Sequence, residues 1–173
     1  MYLIVACNID YRHCITTAGS IVDDIIDINY QALCVESGGT TEIVLREPIP
    51  WNSQQTPCIY YGMPLQTEIR TFYDFNAQQL LYSANYWDYD YVRPHLRDRT
   101  DIIIFDFLKE EIRDGYEKWR SQIEEMVRTH MTGVKLTGKW SIDFLIDNKG
   151  QIWLIDMAKA NRSAYWNGGL LSD

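Results

Sequence analysis

The apolar and polar positions of this chain change period several times, and each change marks an element. Residues 2–7 (YLIVAC) are a short apolar run and predict a buried strand. Gly19-Ser20 precedes apolar residues at Ile21, Val22, Ile25 and Ile26. That pattern predicts a helix capped by Ser20, with Asp23 and Asp24 in its first turn and Gly38-Gly39 past its end. Residues 41–49 read as a strand whose ladder stops at Pro48 and Pro50, followed by a polar loop over 51–57. A short strand is expected at 58–61. Residues 67–75 alternate well, and 79–87 follow after an Asn-Ala-Gln turn, which predicts a hairpin. A charged, aromatic loop is expected over 88–99. Residues 101–131 carry an apolar stripe at Ile104, Leu108, Ile112, Trp119, Ile123, Met126 and Val127, which predicts one long helix that Gly115 could divide and Thr132-Gly133 closes.

The chain is organised around a second hairpin at 139–157. Trp140, Ile142, Phe144 and Ile146 alternate with Ser141, Asp143, Leu145 and Asp147, and Asp147-Asn148-Lys149-Gly150 supply turn chemistry. With a four-residue loop, Ile146 faces Gln151, Asp143 faces Leu154 and Ser141 faces Asp156. Asp143 and Asp156 are then diagonal neighbours on one face, about 7–8 Å apart at Cα. A three-residue loop would put them on opposite faces. Both carboxylates could simply be solvated on the sheet. Asp156, however, ends an apolar strand, where a carboxylate is costly to desolvate unless a cation meets it.

Strand, helix, strand, hairpin, long helix, hairpin is an α+β order with largely antiparallel pairing. The 173 residues suit one medium domain or two small lobes. Twelve Tyr and six Trp favour extended structure over a helical bundle. A net charge of −8 makes nucleic acid a poor partner. Cys7, Cys14, Cys34 and Cys58 form no C-x-x-C pair, so a zinc site is not expected. No signal peptide or membrane-spanning run stands out, so a cytoplasmic protein with reduced thiols and no membrane association is the simplest expectation. The first lysine is Lys109, and arginine is the only strongly basic residue before it.

Three constellations carry candidate chemistry. Asp143 and Asp156, with Asn161 and Ser163 after them, form a hard-oxygen set suited to Mg²⁺ and the phosphates it accompanies. Glu68 and Arg70 share one face of a strand, where Arg70 could meet phosphate or form a cross-strand ion pair. Arg46-Glu47-Pro48-Ile49 is a strand running into a proline hinge. An Asp156-x-x-Lys159 spacing is also reminiscent of metal-dependent nucleases, but in a regular strand it puts Lys159 on the face opposite Asp156. A further alternative is a non-catalytic interaction module presenting the aromatic stretch YSANYWDYDY.

In these segments, and in their order, the sequence resembles the ATP-grasp superfamily, in particular its peptide-ligase-like branch. WSIDF and WLIDMAKAN look like the metal-binding strands, VLREPIP like the adenine-contacting hinge, and EIRTFYDF like the strand whose Arg meets phosphate. The resemblance implies an incomplete first lobe over 1–47 and a second lobe over 48–173 bearing the metal and phosphate site. It implies Mg²⁺ ligands at Asp143, Asp156 and Asn161. Nucleotide contacts follow at Arg46, Glu47, Ile49, Arg70 and Lys139, with Arg70 and Arg162 steadying the transferred group. ATP and Mg²⁺ are the implied cofactors, and the implied reaction joins a small-molecule or peptide carboxylate to an amine through an acylphosphate. A protein partner or homo-oligomer fits the same picture. Ala6 and Cys7 stand where the family's first lobe carries lysine, which implies weakened ATP binding.

Overall fold

The computed structural model describes residues 49, 56–60 and 63–168. The strand and helix expected before residue 41 lie outside the described residues, as do Arg46 and Glu47. Ile49 is described, and is half-buried without regular structure. All described residues but Met63 belong to one compact unit, Ile49–Tyr60 with Pro64–Asp173. Its architecture is α+β. The strands β1 (Cys58–Ile59) and β2 (Met63–Pro64) pair as a small sheet, and the other strands form a four-stranded antiparallel sheet.

Two hairpins build the larger sheet. The first pairs β3 (Glu68–Asp74) with β4 (Gln79–Asn85), and the second pairs β5 (Lys139–Ile146) with β6 (Ile152–Lys159). Their spatial order is β4-β3-β5-β6, so β3 and β5 are the central strands. Centrality explains why Glu68–Tyr73 and Ser141–Phe144 are buried whichever face each residue points to.

One face carries the apolar core. Ile69, Tyr73, Ile142, Phe144 and Ile146 pack against Ile123 and Val127 of the long helix. The short helix α1 (Tyr89–Val92) precedes it, and the long helix α2 spans Arg99–His130. It begins two residues before the expected Asp101 because Asp98 caps it, accepting from the Thr100 and Asp101 amides at 2.7 and 3.1 Å. Gly115 does not divide it. A Cβ there would lie 2.5 Å from Thr67 Oγ1, so the glycine admits a close approach of helix to sheet.

The expected loop over 88–99 is also corrected. Asp88 accepts from the Tyr91 amide and caps α1, and a 3₁₀ turn at Arg93–His95 follows. Tyr89 stacks on Phe105 of α2 at 5.8 Å, and Arg93 forks onto Asp106. A segment dense in aspartate and tyrosine is therefore anchored on the helix rather than left as a loop.

The second hairpin departs from the expected register. Asp147 Oδ1 accepts from the Lys149 and Gln151 amides at 2.8 and 2.9 Å, and the Asp147 amide donates to the Gln151 carbonyl. Gln151 is thereby drawn into a five-residue loop, and Ile146 faces Ile152 instead of Gln151. Phe144 then faces Leu154, but a bulge beside it skips Ile155, so Asp143 faces Asp156 directly and Ser141 faces Ala158. Without that extra residue, Asp143 would face Ile155 and Asp156 would turn to the other face.

After β6, which runs two residues past the expected Met157, a 3₁₀ turn at Ala160–Arg162 leads into a strap over the second face of the sheet. Ser163 Oγ lies 2.7 Å from Ser141 Oγ, and Tyr82 donates to the Tyr165 carbonyl at 3.0 Å. Tyr165 Oη donates to the Tyr86 carbonyl, and the Asn167 amide donates to Tyr82 Oη. Trp166 packs on Phe72 and Tyr82. Tyr165 adopts φ +66°, a left-handed backbone held in place by these contacts.

Candidate functional site

Beneath the strap, the second sheet face gathers four ionisable groups from three strands. Glu68 and Arg70 alternate on β3, Asp143 lies opposite Arg70 on β5, and Asp156 lies opposite Asp143 on β6. The two central strands thus bring together Arg70 and Asp143, predicted separately as phosphate and metal contacts. Arg70 Nε donates to Asp143 Oδ1 at 2.8 Å and Nη2 donates to Oδ2 at 2.6 Å, a bidentate fork. Nη1 donates to the Ala164 carbonyl at 3.3 Å, and the guanidinium lies 4.9 Å from the centre of the Tyr86 ring. The cross-strand ion pair weighed for Arg70 is therefore present. Arg70 is 8 % exposed and Asp143 3 %.

Electrostatically the cluster is short of positive charge. Burial raises the Asp143 carboxyl above its ordinary value. Arg70 pulls against that shift and Asp156 adds to it. Glu68 is pushed up to about 8, chiefly by burial and then by the Asp143 charge, with Arg70 opposing and Asp156 adding. Burial disfavours the charged guanidinium, but the Asp143 hydrogen bonds overcome it and hold Arg70 firmly protonated. The arrangement sets one arginine among three acidic side chains, of which Glu68 prefers its proton near neutral pH.

The other expected contacts are spread around this centre. Lys139 starts β5 on the same face and places its ammonium 5.7 Å from the centre of the Trp166 ring. Asn161 and Arg162 are exposed in the 3₁₀ turn after β6. Asp156 is half-buried, with Oδ1 accepting from the Met157 amide at 2.8 Å. Of the aromatic stretch that begins in β4, Trp87 is buried and Tyr82 and Tyr86 contact the strap, while Tyr91 is exposed.

The donor chemistry suits Mg²⁺, which takes one or two carboxylates together with phosphate oxygens and waters. Asp143 and Asp156 supply such a pair on facing positions. An all-protein cage does not fit, because no group of three or more His, Cys, Asp or Glu among the described residues is placed to hold a metal ion. No helix among them is long and apolar enough to cross a membrane.

Sequence reasoning missed the strap. Several of its contacts are made by backbone groups, the Ala164 and Tyr165 carbonyls and the Asn167 amide, and no spacing in the sequence announces where a carbonyl will point. Glu68 was visible as a neighbour of Arg70, but its burial depends on β3 being central. No protein-family model, curated protein or solved structure matches the chain.

Proposed function

We propose that the chain is an ATP-grasp-like domain that binds a Mg²⁺–nucleotide on the strap-covered face of its sheet. The reading extends to an ATP-dependent ligase that activates a small-molecule or peptide carboxylate as an acylphosphate. The observation that carries it is the facing of Arg70, Asp143 and Asp156 across three adjacent antiparallel strands. A guanidinium suited to phosphate and two carboxylates suited to Mg²⁺ are thereby placed side by side. Lys139, on the same face, is a second cation for a phosphate chain. Bound Mg²⁺ supplies charge neutralisation at the phosphates. Of this chain's own residues, Asp143 and Asp156 would hold the metal, and Arg70 would hold a phosphoryl oxygen.

The absence of lysine at Ala6 and Cys7 predicts weak binding. Each lost charge-assisted contact costs about 1.5–3 kcal/mol. An affinity in the high micromolar range or weaker, about −5 kcal/mol or less favourable, is expected. Calorimetric titration of ATP with excess Mg²⁺ tests this, with Asp143→Asn and Arg70→Ala expected to weaken the signal further. Equal affinity in all three proteins would remove this face as the site.

A second reading, a non-catalytic module derived from the same fold, is favoured by one feature. Arg70 already occupies both oxygens of Asp143, and the strap covers the pair.

A further inference from the structure

We propose that Arg70 and Asp143 form a latch whose two halves are released only together, by a divalent cation and a polyphosphate arriving as a pair. The inference rests on the nucleotide-binding reading above and adds how the site is regulated.

The argument begins with what each group loses when its partner leaves. Both Asp143 oxygens accept from Arg70, so the whole fork is lost when the two part. If a polyphosphate alone drew Arg70 away, Asp143 would remain almost fully buried, opposite Asp156 on β6 and near Glu68 on β3. The position across from Arg70 on β4 is Ala84, which brings no charge, and the strap offers Arg70 a carbonyl. Neither β4 nor the strap brings a cation to the stranded carboxylate, and Lys139 on the same face lies against Trp166. If a divalent cation alone drew Asp143 away, Arg70 would keep one carbonyl, the face of Tyr86 and the attraction of Glu68 on its own strand. It would then stand next to a second positive centre. A buried charge deprived of its partner is strongly unfavourable, so either single step is resisted.

When both components arrive, Arg70 and Asp143 each trade one ionic partner for another. The guanidinium fork that takes two carboxylate oxygens takes two phosphate oxygens equally well. The carboxylate that accepts two N–H groups accepts a hard cation. No bond to carbon or phosphorus changes, and no buried charge is left bare. Repulsion between Asp143 and Asp156 also favours a dication over a monovalent guanidinium at this position. The latch therefore excludes free metal and metal-free anions while admitting their combination.

The test follows the Arg70 Nε–H resonance by ¹⁵N NMR in the full chain, during titration with Mg²⁺ alone, inorganic tripolyphosphate alone, and both. The resonance is expected to stay in place with either component and to move with the two together. Movement with one component alone overturns the latch, and so does no movement with both. A second measurement is calorimetric titration of tripolyphosphate in chelator, comparing the natural protein with Asp143→Asn. Freeing Arg70 is expected to raise metal-free affinity by at least about tenfold, or 1.4 kcal/mol. Unchanged affinity in a folded variant counts against the proposal. If ATP with Mg²⁺ binds while the Arg70 resonance stays fixed, nucleotide binding stands and the latch falls. If ATP with Mg²⁺ gives no binding and tripolyphosphate with Mg²⁺ leaves the resonance unmoved, both fall.

Discussion

Asp143 and Arg70 meet where the sheet is most enclosed, and their substitution should separate the value of the pair from the cost of breaking it. Arg70→Met or Asp143→Leu alone leaves a buried charge and should cost about 3–5 kcal/mol in urea denaturation. The double substitution should recover most of that loss, because two apolar groups leave nothing unpaired. Additive losses in the cycle would show that the two residues do not act as a unit. Glu68 carries a separate signature. Its carboxyl is pushed from an ordinary 4.5 up to about 8, so the folded state holds the proton more tightly than the unfolded chain. The stability this provides is complete below 4.5 and is lost as pH rises through about 8, with a slope of at most about 1.4 kcal/mol per pH unit. Asp143 is raised as well and adds in the same direction. Glu68→Gln should flatten the slope without abolishing it, gaining on the natural protein between about pH 5 and pH 8.5. Parallel denaturation curves across that range would rule out a buried protonated Glu68.

At the scale of elements, α2 and the second hairpin show what a sequence pattern can and cannot carry. The helix was legible because its apolar stripe recurs over many turns, and Ile123 and Val127 of that stripe are indeed core. Its start was less clear because Asp98 resembles the other charged residues around it until its cap bonds are seen. Gly115 looked like a break, yet it marks the crossing over Thr67. Gly115→Ala gains about 1 kcal/mol of helix propensity and should lose about 1–3 kcal/mol to overpacking. A net loss of about 1 kcal/mol is expected by chemical denaturation. In a Thr67→Ala background the same change should become neutral or stabilising, and a net gain in the natural background would show that Thr67 moves aside freely. The hairpin was legible in existence and face but not in register. Its five-residue loop is set by a single carboxylate oxygen of Asp147 accepting two amides, and its bulge skips Ile155 in the register of β5 with β6. The two deviations offset each other, which is why Asp143 and Asp156 share a face although the expected pairing does not occur.

For the whole molecule, an α+β layout with antiparallel hairpins under one long helix could be read from periodicity, because period-2 and period-3.6 stretches are well separated along the chain. The strap could not, since residues 163–168 have no period and are ordered by what lies beneath them. It leaves the sheet an apolar side under α2 and a charged side closed by carbonyls and aromatic rings, which places a formal ion pair far from water. Heat affects such a pair differently from the rest of the core. Ion hydration becomes less favourable on warming, so the penalty for keeping Arg70 and Asp143 dry shrinks as temperature rises. The apolar double variant should therefore compare best with the natural protein in the cold and progressively worse when warmed. Stability curves built from denaturant titrations at several temperatures should shift steadily in favour of the natural protein on heating, and curves that stay a fixed distance apart would argue against it. The charged fork is the part of this sheet whose relative strength grows with warmth.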